Sequence, residues 1–159
     1  MGLRDFFSRR VDAPQTLKRY EELLHASEKT LSSLNKKGKT FTDKVREDLF
    51  VAYYEEEFRE LQKELHALHR ELESHRGKLE RAEYITEGVQ DKVSRLNSRV
   101  SVLLTETELF IESLGSDVPL KTCEEFVKTL ETGLKTFSKT KSALLYVLED
   151  RAYFSDVVE

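Results

Sequence analysis

From Phe58 onward the sequence repeats apolar residues at strictly alternating spacings of three and four. Phe58, Leu61, Leu65, Leu68, Leu72, His75, Leu79, Ala82, Thr86, Val89, Val93, Leu96, Val100, Leu103, Thr107, Phe110 and Leu114 follow one another without a slip. A 3.5-residue period keeps one narrow stripe on one face of an α-helix, so this stretch is read as helix whose stripe another helix must cover. The two glycines inside it, Gly77 and Gly88, are each unfavourable by about 1 kcal/mol relative to Ala in a helix. The repeat nevertheless crosses both in phase, and His75-Arg76-Gly77-Lys78 holds none of the Pro, Asn or Asp of a sharp turn. The expectation is therefore one continuous helix over about 43–114, with a four-helix bundle turning near Gly77 as the alternative.

The flanks read as shorter helices. Asp12 and Pro14 mark a start, Lys36-Lys37-Gly38 a stop, and Leu17, Tyr20, Leu24, Ser27, Leu31 and Leu34 form a stripe between them. A Thr-x-x-Asp pattern at Thr40–Asp43 offers a cap for the long helix. Leu114-Gly115-Ser116-Asp117-Val118-Pro119 is the clearest loop, and Thr122 with Glu125 forms a capping box after it. The last helix carries Cys123, Val127, Leu130, Leu134, Phe137, Lys141, Leu144 and Leu148 inward. Phe50 and Tyr54 widen the inner stripe near one end of the long helix, and Leu104 and Ile111 near the other. The predicted fold is thus all-α: an elongated antiparallel helical bundle or coiled coil, with one long central helix and two shorter helices folded back on it.

Composition agrees. With 35% charged residues, two Pro and no Trp in 159 residues, the chain has the make-up of long helices. Its net charge of −4 is uneven: residues 1–39 carry nine Lys/Arg against five Asp/Glu, whereas 40–159 are strongly acidic. An acidic body without a dense Lys/Arg stripe would be repelled by a phosphate backbone, so no nucleic-acid partner is expected.

Residues 1–12 form a separate basic amphipathic segment ahead of the helical domain at 13–159. Leu3, Phe6, Phe7 and Val11 share one face, with Arg4, Arg9 and Arg10 elsewhere, which suits docking on a partner or a membrane surface; tucking the two rings into the bundle is the other possibility. Phe6 stands where myristoylation requires Ser or Thr. No apolar run approaches the roughly 20 residues that cross a bilayer, no leader pattern is recognisable, and the single Cys123 has no partner for a disulfide. The expected location is cytoplasmic, with peripheral attachment to a membrane as the alternative.

Catalytic signals are few. No phosphate-binding Gly-rich loop, nucleophile elbow, Cys-x-x-Cys or His-Glu-x-x-His occurs, so no enzyme activity and no cofactor are expected. Glu22 and His25 make one Glu-x-x-His, half of a di-metal pattern, so a small metal protein is kept as an alternative. His66, His69 and Glu73 share a face, and His75 falls on the stripe itself, where a polar residue can set register. Glu55-Glu56-Glu57 and Thr129, Thr132, Thr136 and Thr140 read as solvated faces.

In outline, a short amphipathic start followed by long helices folding back on one another resembles the membrane-remodelling N-BAR and ESCRT-III proteins, which implies a peripheral membrane role. The likeness is architectural: no diagnostic motif matches, and the acidic body departs from the cationic face such proteins present. The leading expectation is a structural or adaptor protein that binds other proteins and dimerises along Leu61, Leu65, Leu68, Leu72, His75, Leu79, Val89, Val93, Leu96, Val100 and Leu103, because a lone extended chain would leave that seam open to water.

Overall fold

The computed structural model describes residues 3–47, 54–81, 86–114 and 119–158, with side chains described for 15–47, 54–81, 86–114 and 119–148. It is an all-α four-helix arrangement: α1 Leu3–Arg46, α2 Tyr54–Glu80, α3 Glu87–Ser113 and α4 Leu120–Val158. Each helix packs on the next, and α4 returns to α1, closing a square. Cross-helix pairs give the directions. Arg19–Glu71 and Lys37–Glu57 run α2 antiparallel to α1, Asn97–Glu73 with Phe58–Phe110 do the same for α3 and α2, and Lys39–Glu131 with Arg46–Glu124 for α4 and α1.

The continuous helix expected over 43–114 is divided among three: residues 43–46 close α1, and 54–80 and 87–113 form α2 and α3, which run antiparallel. The chain leaves helix at Arg81, and Thr86, in an extended conformation (φ −71°, ψ 159°), caps α3 by accepting a hydrogen bond from the Val89 N–H at 3.3 Å. Thr86, placed on the seam by its spacing, is in fact this cap. Phase misled because every helix of a bundle needs the same three-four stripe, and a connection close to one heptad long restores the count on its far side. Gly77 lies inside α2 and Gly88 in the first turn of α3, so neither makes the turn.

The break expected at Gly38 is also absent, since α1 runs through it to Arg46. A Cβ on Gly38 would stand 3.3 Å from Val127 Cγ2, so this glycine lets α1 approach α4 closely. Thr40, read as a cap, instead donates its hydroxyl back to the Lys36 carbonyl at 3.1 Å, and Thr42 does the same to the Gly38 carbonyl at 2.7 Å, within a continuing helix. Pro14 likewise lies within α1 rather than in its first turn, and α4 begins at Leu120, two residues before the expected Thr122. Helix α3 ends at Ser113 with Leu114 as its C-cap and α4 opens at Leu120, on either side of the Gly and Pro signals.

The core is the convergence of four apolar stripes. At one end Phe41 (α1), Tyr54 and Phe58 (α2), Phe110 (α3) and Phe126 (α4) interlock. Phe58 meets Phe110 edge-on at 5.4 Å, and Phe110 stacks on Phe126 at 4.0 Å. Further along, Leu24, Leu31 and Leu34 of α1 face Leu65, Leu72 and Leu79 of α2, Val89, Val93, Leu96, Val100 and Leu103 of α3, and Leu130, Phe137 and Leu144 of α4. Leu104 and Ile111 are buried too, as the widened stripe implied.

Candidate functional site

Two polar clusters sit inside the bundle. In the first, Tyr20 of α1 is fully buried and donates its hydroxyl to Asn97 Oδ1 on α3 at 2.6 Å. Asn97 in turn donates from Nδ2 to Glu73 Oε1 on α2 at 3.2 Å, and Arg76 clamps the other Glu73 oxygen at 2.8 Å. Burial pushes the Tyr20 hydroxyl well above its usual range, and the Glu73 charge adds to this. Burial opposes ionisation of Glu73, but hydrogen bonds from Arg76 and Asn97, with the Arg76 and His69 charges, outweigh it and hold the carboxyl below the ordinary value. The chain of contacts ties three helices in one register.

The second cluster joins α1 to α4. Lys141, only 8% exposed on the inner stripe of α4, reaches His25 Nδ1 at 3.1 Å and Glu28 Oε1 at 3.0 Å. Ser138 donates to the other Glu28 oxygen at 2.8 Å, and Glu21 lies 3.6 Å from His25 Nε2. Burial again works against the Glu28 carboxylate, and the Lys141 and Ser138 hydrogen bonds together with the Lys141 and His25 charges overcome it, lowering its pKa.

Between α1 and α4, an open groove of about 340 Å³ is bordered by Lys39, Asp43, Arg46, Glu124, Lys128 and Glu131. Its charges largely satisfy one another through Lys39–Glu131, Arg46–Asp43 and Arg46–Glu124. Among the described residues no group of three His, Cys, Asp or Glu is placed to hold a metal ion. Glu22, half of the Glu-x-x-His, pairs with Arg19, while His25 turns to Lys141. His69 approaches Glu73 at 3.9 Å. Cys123 is buried, and burial pushes its thiol upward, away from the reactive thiolate.

The proposed self-association seam lies within the chain's own core. Leu65, Leu72, Leu79, Val89, Val93, Leu96, Val100 and Leu103 are buried against neighbouring helices, and Leu61 and Leu68 pack partly buried beside them. His75 donates from Nδ1 to the Glu71 carbonyl one turn back at 2.8 Å. Closure by four helices of one chain removes the open seam that would have demanded a second copy. Of the docking residues, Leu3, Arg4, Phe6, Phe7, Arg9 and Arg10 belong to the helical backbone of α1, and their side chains lie outside the described residues.

The exposed surface holds a feature not singled out in the sequence. Three large hydrophobic residues are exposed among the described ones: Val102 at 49%, Leu109 at 56% and Tyr146 at 70%. Val102 and Leu109 stand one heptad apart on the outer face of α3, with exposed Ser98, Ser101 and Thr105 around them. The dominant inner stripe of α3 hides this second, weaker one. Its signal was a run from Val100 to Thr105 without a charge, in a chain where more than a third of residues are charged.

No family model matches the chain, and neither a curated protein nor a solved structure matches it.

Proposed function

We propose that this is a non-enzymatic structural or adaptor protein that self-associates and binds other proteins through outward helix faces of its bundle. The observation that carries this is the stripe on α3. A helix covered on its inner side by α2 and α4 has no internal need for Val102 and Leu109 on its outer side, and uncharged stripes with apolar centres gain by leaving water. The polar clusters fit the same reading, since Tyr20–Asn97–Glu73 and Lys141–Glu28 brace helices against one another. The coiled-coil pairing expected along the inner seam is thereby moved to the outside of the bundle. Sedimentation equilibrium of the full chain over a rising concentration series is the test: mass should climb from monomer to dimer, and a constant monomer mass would refute self-association.

A second reading, a peripheral membrane protein docked through Leu3, Phe6 and Phe7, is favoured by the backbone of α1 being helical from Leu3. An eleven-residue amphipathic segment alone is a poor helix, but as the continuation of a long one it avoids the cost of nucleation. Phe6→Asp with Phe7→Asp should then abolish sedimentation with anionic liposomes while leaving the melting curve unchanged. A collapse in melting temperature would place both rings in the bundle instead. Among the described residues no helix is long and apolar enough to cross a membrane.

A further inference from the structure

On the outer face of α3, Arg95, Ser98, Val102, Thr105, Leu109 and Glu112 repeat at spacings of three, four, three, four and three, and all six are exposed. This is a second heptad stripe, turned away from the buried one that runs through Val93, Leu96, Val100, Leu103, Thr107 and Phe110. Its composition is graded along the helix: basic at Arg95 and Arg99, uncharged through Ser98, Ser101, Val102 and Thr105, and acidic at Glu106, Glu108 and Glu112. A surface whose charge reverses along its length, with an apolar centre, is complementary to itself when turned end for end.

We propose that α3 pairs antiparallel with α3 of a second copy of this chain, in the register that opposes Val102 to Thr105 of the second copy. That register also opposes Leu109 to Ser98 and Arg95 to Glu112. At the edge of the contact it sets Arg99 beside Glu106, every pair occurring twice about the two-fold axis. Arg99, Glu106 and Glu112 enter no ion pair among the described residues, and the Asp91–Arg95 bridge, 3.1 Å long, is solvent-exposed, so that Arg95 can reorient at little cost.

Charge selects this register over its neighbours. Sliding the helices by one heptad in one direction brings Arg99 against Arg99, and in the other direction Glu106 against Glu106. A parallel pair would stack Arg95 on Arg95 and Glu112 on Glu112. Like charges in direct opposition are unfavourable, so of these arrangements the stated one alone avoids repulsion. One helix-to-helix contact is small beside a standard interface, which makes the expected dimer a micromolar one, weakened by salt.

This inference rests on the self-association reading, and sedimentation equilibrium of the full chain separates the two. The wild-type chain should dimerise, and Val102→Glu with Leu109→Glu should raise the dissociation constant at least about tenfold while leaving the circular-dichroism melt unchanged. Arg99→Glu alone should weaken the dimer, and adding Glu106→Arg should restore it, which no general effect on folding would reproduce. A chain that stays monomeric throughout overturns both readings. A dimer indifferent to the Val102 and Leu109 changes overturns the α3 face and leaves self-association standing. Failure of Glu106→Arg to rescue Arg99→Glu overturns the register.

Discussion

Asn97 is 1% exposed between three helices, and its amide serves both of its neighbours: the oxygen accepts from Tyr20 and the nitrogen donates to Glu73. Asn97→Ala strands the Tyr20 hydroxyl with only the Val93 carbonyl, 3.4 Å away, and opens a small void. The expected cost is about 1–3 kcal/mol, measurable as a lowered urea midpoint with unchanged m-value. Glu28 and Glu73 give the bundle an acid-sensitive term. Their folded pKa values lie below the unfolded ones, so the folded state binds fewer protons and is stabilised above the ordinary Glu value of about 4.3. That contribution is lost as pH falls from there through the folded values. Melting temperature should therefore drop between about pH 5 and about pH 3, and Glu28→Gln with Glu73→Gln should flatten that limb. An equally steep limb in the double variant would assign the acid sensitivity to other carboxylates. At this scale the sequence was readable where side chains are apolar. It was silent on Asn97, because a polar residue one position from a seam looks the same whether it faces water or a tyrosine.

Glycines show how one residue type carries opposite meanings at the level of helices. Gly77 sits inside α2, and a Cβ added there would meet nothing within 4 Å, so Gly77→Ala should add about 0.5–1 kcal/mol to stability by helix propensity alone. Loss of stability there would show that the chain turns at Gly77 after all. Gly133 is the reverse case: an added Cβ would lie 2.6 Å from Cδ2 of the buried Leu103, so α3 and α4 touch through the missing side chain. Gly133→Ala should be destabilising, the about 1–3 kcal/mol of overpacking exceeding the gain in propensity; thermal melts of the two variants should move in opposite directions. The helix ends divide in the same way. The end of α3 and the start of α4 were legible because Gly115 and Pro119 act locally. Gly38 misled because its role is contact with Val127 on α4, nearly ninety residues on.

For the molecule as a whole, the aromatic cluster is where all four helices lock together. Phe58 is fully buried and meets Phe41, Phe110 and Phe126 edge-on, so truncating it should loosen every helix pair at that end at once. Phe58→Ala should cost about 3–5 kcal/mol, a large share of the 5–15 kcal/mol typical of a domain. Denaturation should remain a single transition, whereas two separate transitions would mean that the helices fold as independent pairs. The sequence by itself determined that the chain is helical, which faces turn inward, and that a helix ends near Leu114, because periodicity, propensity and Gly/Pro chemistry are local properties of the chain. Only the tertiary structure decided that the heptad stripe folds back on itself after Arg81 and is covered within one chain. A stripe specifies that something must cover it, not what; the choice between a second copy and the chain's own next helix depends on a turn whose residues are only weakly marked, and on how well four particular faces, phenylalanines and glycines included, fit together.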